Sequence, residues 1–461
     1  MQPLDRLDGP ILAYGPRDPL NQFLAVGLHQ FGLAFCPLMD HDIHRHLFPC
    51  FSLAHLEDVQ NQTSICDNYS TTLCSRASII TTRQRPFFSA FADMLDFSSR
   101  EEPVVREHWT CQTDNKQTIR RSEEEKTMKT KRLGRMGLKV SEICLGTMTF
   151  GNQCDEPTSR AIMDKAFDYG VTFFDTADAY PIGGALESMG RTEEYIGNWL
   201  KGRREQIVLA SKFFLPMGTG PNDRGGSRKH IFQAAHASLR RLQTDYLDLY
   251  QMHFPDFETP LDETLGALDD LVHSGKVRYI GCSNYPAWLL AKALWISEKL
   301  GLARFDCVQP RYNLLFRHIE AELFPLALDQ GIGVISYNPL AGGVLTGRYQ
   351  VGQAPQEGTR FALENAGQLY RARYWQEAPM RAVNQLKQLC DERQVPVAQV
   401  ALAWVLAQPA ITSAIVGASK AEQLDQTLPA ADLTLDEQLL AACDDIWYQL
   451  PRERDKDIAF R

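Results

Sequence analysis

No apolar run in this sequence is long enough to cross a bilayer. Nor does the stretch from Met1 to Gly15 join a basic segment to an apolar core. It includes Asp5 and Asp8 and does not read as a secretory signal. Excess positive charge is missing too. Lys and Arg number 48 against 57 Asp and Glu, a net charge of -9, which leaves no general field for nucleic acid or an anionic membrane. The 11 cysteines form no Cys-x-x-Cys pair. Their odd number, and the scatter of Cys144, Cys154, Cys282, Cys307, Cys390 and Cys443, predict reduced buried thiols in a cytoplasmic protein. No Gly-x-Gly-x-x-Gly follows the first apolar strand, which counts against a Rossmann sheet.

Regular periodicity is also missing from residues 1–127. Pieces such as Phe23-Leu-Ala-Val-Gly27 do not build a repeat, and Arg120-Arg-Ser-Glu-Glu-Glu-Lys126 is a charge run that suits solvent. Cys36, His44, His46 and Cys50 suggest zinc at first sight, but their spacing fits no standard finger, and no metal site is expected. This segment is expected to be a poorly ordered extension or the product of a misplaced upstream start. Met128 then opens the patterned part, residues 128–461.

What is present there is a strand-helix alternation. Two short strand-like runs flank a Gly-containing turn between Lys131 and Val140, a hairpin pattern. Eight apolar runs follow, beginning at Ile143, Val171, Ile207, Leu247, Val277, Phe305, Gly333 and Ser413. Amphipathic stretches separate them, with Thr192 and Ser227 as expected N-caps. Such alternation argues for a parallel sheet, and the length suits a (β/α)8 TIM barrel with an N-terminal β-hairpin.

Three consecutive runs end in chemistry. Val171 to Phe174 breaks at Asp175, with Tyr180 in the loop beyond; the next two end in Lys212 and His253. In a parallel barrel the C-terminal strand ends share one face, and that face carries catalysis. A carboxylate, a phenol, an ammonium and an imidazole would meet there. A phenol is a poor acid at neutral pH, and a neighbouring cation favours its ionised form. Lys212 is therefore expected to make the Tyr180 proton easier to give up, with Asp175 holding Lys212 charged.

From Lys131 to about Leu450 the sequence resembles the aldo-keto reductases. The motifs are Leu145-Gly-Thr-Met-Thr-Phe-Gly151, Phe174-Asp-Thr-Ala-Asp-Ala-Tyr180, Ala210-Ser-Lys212, Asp248-Leu-Tyr-Gln-Met-His253, Gly281-Cys-Ser-Asn284, Gln309 with Tyr312-Asn313, Tyr337-Asn-Pro-Leu340 and Ile415-Val-Gly-Ala-Ser-Lys420. The pattern is most similar to a bacterial branch that also resembles potassium-channel β subunits. The resemblance implies NADPH as cofactor, a small-molecule carbonyl substrate, and Asp175, Tyr180, Lys212 and His253 as the catalytic tetrad. Tyr180 would be the general acid and His253 would orient the substrate oxygen.

It also implies cofactor contacts from Gly146, Thr147, Met148 and Asp175. Ser283, Asn284 and Gln309 would bond the carboxamide, and Tyr337 would stack on the nicotinamide. Leu340, Gly342, Gly343 and Arg348 would wrap the pyrophosphate. Gly417, Ser419, Lys420 and Gln423 would receive the remaining phosphate, with Lys420 on the 2′-phosphate. Thr427 departs from an Asn common in the family near the adenine. A redox-sensing regulatory subunit on the same barrel is the alternative reading; substrate identity and oligomeric state are left open.

Overall fold

The structure is a computed structural model that describes residues 128–363 and 365–451. The expectations for residues 1–127, including Cys36, His44, His46 and Cys50, lie outside the described residues. Strands β1 (Thr130–Arg132) and β2 (Lys139–Ser141) pair antiparallel, with Lys131 opposite Val140. Eight further strands close a parallel barrel. These are β3 (Ile143–Gly146), β4 (Phe173–Asp175), β5 (Val208–Phe213), β6 (Leu247–Met252), β7 (Val277–Ser283), β8 (Phe305–Gln309), β9 (Gly333–Ser336) and β10 (Ile411–Gly417). They run in chain order, and β10 meets β3 to close the ring. This is the TIM barrel that the alternation predicts.

The hairpin closes the barrel's N-terminal end. Its Leu133 and Val140 pack with the interior residues Cys144, Phe173, Ala210, Leu249 and Ile335. Gly134 (φ +57°) allows this approach. A Cβ there would lie 2.4 Å from the Gly331 carbonyl oxygen, so a side chain would force the hairpin outward.

The outer helices are α1 (Glu156–Asp168), α2 (Arg191–Leu200), α3 (Arg228–Leu242), α4 (Leu261–His273), α5 (Ala287–Leu300), α6 (Leu323–Gln330), α7 (Asn365–Tyr374), α8 (Glu377–Glu392), α9 (Val397–Leu406), α10 (Glu422–Thr427) and α11 (Glu437–Gln449). Their apolar faces bury against the sheet; Trp199 of α2 stacks on Phe174 at 5.2 Å. Ser227 caps α3 as expected, its hydroxyl accepting from the His230 amide. Thr192 does not cap α2. Gly190 precedes that helix in a left-handed conformation, and the Thr192 hydroxyl donates to the Phe150 carbonyl at 2.7 Å instead. Val171 and Thr172 fall before β4, which starts at Phe173. Helix α7 has no counterpart in the sequence expectations. Among the described residues no helix is long and apolar enough to cross a membrane.

Candidate active site

Parallel register sets the level of each side chain at the C-terminal mouth. Asp175 pairs with Ala210, Lys212 with Gln251, Met252 with Cys282 and Ser283 with Gln309. The ends of β4 to β8 therefore stop at one rim, and the polar residues gather above the apolar interior.

The Lys212 side chain is fully buried and Asp175 is 3% exposed, so neither charge has water to solvate it. They pair instead, with Nζ 2.5 Å from Asp175 Oδ1. Lys212 Nζ also donates to the Thr176 carbonyl at 2.9 Å and to the Tyr180 hydroxyl oxygen at 3.5 Å. The other carboxylate oxygen, Oδ2, accepts from Gln309 Nε2 at 2.8 Å and Gln251 Nε2 at 3.2 Å. Burial alone would lower the Lys212 pKa. The Asp175 carboxylate and the Tyr180 oxygen outweigh it, so the pKa stands above its ordinary value and the ammonium stays charged.

Lys212 pulls the Tyr180 phenol's pKa down, as expected, yet the net shift is upward. Burial is the largest influence, and the pull of Lys212 only partly offsets it. The resting phenol is thus protonated, with the Lys212 cation beside its oxygen. His253 packs edge-on to Tyr180, ring centres 5.8 Å apart. Burial, then the Lys212 charge, hold its pKa well below that of a free imidazole. It is neutral, and its Nδ1 finds no hydrogen-bond partner among the described residues.

Behind this group, Asp178 gives its backbone N–H to the Lys212 carbonyl at 3.0 Å. Its buried carboxyl oxygens have no partner among the described residues. Burial and the nearby Glu193 push its pKa well up, which favours the protonated form.

Two adjoining chambers open on this mouth. The smaller, about 160 Å³, is lined by Asp175, Tyr180 and His253 together with Gly146, Thr147, Met148, Ser283, Asn284, Gln309 and Tyr337. Asn284 takes a left-handed backbone (φ +61°). That aims its amide at the His253 carbonyl (2.9 Å) and lets its Oδ1 accept from the Tyr337 hydroxyl (2.8 Å). The larger chamber, about 310 Å³, is lined by Leu340, Gly342, Gly343, Arg348, Gly417, Ser419, Gln423 and Thr427. Thr149, Asn338, Arg360, Ile415 and Gly417 border both chambers.

These residues fit an extended dinucleotide. Among the described residues no acidic side chain lines the larger chamber, while Arg348 and Arg360 do. The Asn338 Nδ2, between the chambers, is buried without a partner among the described residues. Gly417 opens toward Arg360; a Cβ there would lie 3.2 Å from the Gly146 carbonyl oxygen. Lys420 stands apart from the other expected contacts. It is exposed and borders neither chamber. The helix beyond it, α10, is only 6 residues long, and Gln423 Oε1 already accepts from the Ser419 amide at 2.8 Å. Arg360, Tyr370 and Arg373 were missed from sequence, since neither the Gly- and polar-rich stretch before α7 nor α7 itself carries a clear periodic signal.

Residues 142–448 match the model of the aldo/keto reductase family. The chain belongs to that family. It is 44% identical over 322 residues to an uncharacterized oxidoreductase, YrpG, of Bacillus subtilis (strain 168), covering 68% of this chain and 94% of the relative. A probable voltage-gated potassium channel subunit beta of Arabidopsis thaliana is 41% identical over 308 residues, covering 66% and 92%. The L-glyceraldehyde 3-phosphate reductase of Escherichia coli (strain K12) is 34% identical over 318 residues, covering 68% and 90%. The protein is thus an oxidoreductase of the aldo/keto reductase family, on the barrel the family resemblance implied.

Proposed function

We propose that this protein reduces an aldehyde or ketone to the alcohol with NADPH, and that Tyr180 is the general acid. The observation that carries the reading is the position of Lys212 Nζ, bonded to Asp175 at 2.5 Å and to the Tyr180 oxygen at 3.5 Å. A reduced nicotinamide, when bound, supplies the hydride. The chain's own residues handle the oxygen. His253, neutral, donates a ring N–H to the substrate carbonyl and orients it. Tyr180 gives its proton to that oxygen as negative charge develops there, and Lys212 stabilises the phenolate left behind. Asp175 keeps Lys212 charged. Neither Lys212 nor Asp175 can change charge without stranding a buried, unpaired partner, and the low pKa of His253 argues against an imidazolium acid.

Ser283, Asn284, Gln309 and Tyr337 would hold the nicotinamide, Gly146 to Met148 would line it, and Leu340, Gly343, Arg348 and Gly417 would hold the pyrophosphate. Ser419 and Gln423 would face the adenosine side, with Lys420 reaching the 2′-phosphate from the rim. A relative named as an L-glyceraldehyde 3-phosphate reductase supports an aldehyde as substrate. The relative named as a channel subunit beta supports a second reading, a cofactor-binding redox sensor. Many turnovers of a test aldehyde per protein, read as loss of NADPH absorbance, separate the two.

The test of mechanism is Tyr180→Phe. It should lower kcat by at least about 10², with NADPH affinity nearly unchanged and no recovery at low pH. Near-normal kcat in that variant would move the acid role to His253.

A further inference from the structure

The chamber beside the tetrad has walls of two kinds. One is the polar machinery already described. The other is Ile182, Phe254, Leu369 and Tyr370, brought together from two loops and helix α7. Leu369 is 45% exposed and Phe254 37% exposed, so both leave apolar surface uncovered at the mouth. The polar end of Tyr370 is in use. Its hydroxyl donates to Asn338 Oδ1 at 3.3 Å and accepts from Arg360 Nη1 at 3.4 Å. Arg373 also lines the chamber and makes contacts of its own within the protein.

Phe254 is the best placed of the four. Its ring stacks on that of His253, with centres 5.1 Å apart and planes 20° apart. Phe214, from the loop after β5, packs against it at 6.1 Å. The two loops are fastened together. Asp256 Oδ2 accepts from the Gly226 amide at 2.7 Å, and the Gly225 amide donates to the Phe214 carbonyl at 2.9 Å. Phe214 itself holds φ +131°, a conformation that bulky L residues rarely adopt. Strain of this kind persists where the surroundings impose it, and it gathers at ligand clamps. A fixed aromatic wall thus stands next to the imidazole.

We propose that Phe254 receives the ring of an aromatic aldehyde or ketone and so sets substrate preference, with Ile182 and Leu369 enclosing that ring. This deepens the reductase reading and rests on it. A carbonyl oriented by His253 carries its substituent beside the residue stacked on that imidazole. Ring-on-ring contact there adds to the gain from apolar burial. The test compares benzaldehyde with propanal, using the full chain and NADPH. The wild type should favour benzaldehyde by about tenfold or more in kcat/KM. Phe254→Ala should lower that ratio by about 10- to 100-fold, mainly through KM for benzaldehyde. Any loss from disturbing His253 falls on both compounds and cancels in the ratio. Phe254→Tyr, which keeps the ring, should hold the ratio within about threefold, and Phe254→Leu, which keeps only apolar bulk, should lower it by about 3- to 10-fold. A wild type without the preference, a ratio unchanged in Phe254→Ala, or a ratio fully kept in Phe254→Leu overturns the proposal.

Calorimetric titration of benzamide and of acetamide, whose carbonyls are not reduced, into the protein with NADP⁺ reads the same contact without turnover. Benzamide should bind at least about tenfold tighter than acetamide, and Phe254→Ala should remove the difference. That result supports the proposal even if no aldehyde is turned over, in which case only the reductase reading falls. Benzamide that binds no better than acetamide overturns the proposal, and turnover of either aldehyde then leaves the reductase reading standing.

Discussion

The two ends of the cleft are built differently. At the tetrad end the side chains stand on or just beyond strand ends, and their partners come from neighbouring strands at the same register level. Asp175 alone engages Lys212, Gln251 and Gln309 from three other strands. At the other end much of the lining comes from loops and short turns, with the end of β10 and helix α10 beside them. Gly342 and Gly343 turn with positive φ, and Lys420 is exposed. Strand ends hold a dry arrangement of charges that is formed without a ligand. Loops give an adaptable surface in which each contact is partly wet. Chemistry that depends on a buried charge belongs at the first end, and recognition of an extended polyanion suits the second.

That contrast makes Lys212→Met the most damaging change. It leaves the Asp175 carboxylate buried with only two amide donors, at a cost of about 3–5 kcal/mol. It should also remove activity to the extent of about 10²- to 10⁴-fold. Combining Lys212→Met with Asp175→Asn should restore most of the melting temperature, because no charge is left stranded, and none of the activity. If the double variant is as unstable as the single, the ion pair is not what holds the tetrad end together.

The same contrast explains what could be read from sequence. Asp175, Lys212 and His253 were visible because each ends an apolar run, and a parallel barrel sends such ends to one face. The eight strands were visible for the same reason. Helix α7 was not. Its sequence, Asn365-Ala-Gly-Gln-Leu-Tyr-Arg-Ala-Arg-Tyr374, is polar on several faces, and it stands because Tyr370 and Tyr374 bury against the barrel mouth. Long-range packing of that kind leaves no local period. Thr192 misled for a related reason: a Thr near a helix start looks like a cap, but the Phe150 carbonyl captured its hydroxyl. The direction of the Tyr180 shift could not be read either, since only the folded chain says how far burial outweighs Lys212.

At the loop end the effects should be smaller and graded by exposure. Arg360 borders both chambers, so Arg360→Ala should raise the NADPH dissociation constant by about 10- to 100-fold. Lys420 is screened by solvent, so Lys420→Ala should raise it by only about two- to fivefold, with NADH less affected. Fluorescence titration with both cofactors measures this. A Lys420 effect larger than that of Arg360 would mean the rim closes over the phosphate, and the loop end would then be as dry as the tetrad end.

The smallest effect sharpens the comparison through pH. His253 is buried in its neutral form, with a pKa held well below the unfolded value of about 6.5 by burial and by Lys212. The sign follows from proton uptake. Below about pH 6.5 the unfolded chain binds a proton at this residue and the folded chain does not, so stability falls as pH falls; above it the residue contributes no slope. Each pH unit below 6.5 costs at most about 1.4 kcal/mol. The wild type should therefore lose more melting temperature between pH 7.5 and 5.5 than His253→Gln does. His230, also shifted down by burial, acts equally in both and cancels. Over the same range wild-type kcat should show no step from an imidazole, because His253 keeps one protonation state while Tyr180 gives up the proton. Equal losses of melting temperature in wild type and variant would mean His253 takes up a proton in the folded state. The tetrad end would then hold a second proton donor, and Tyr180→Phe should recover activity in acid.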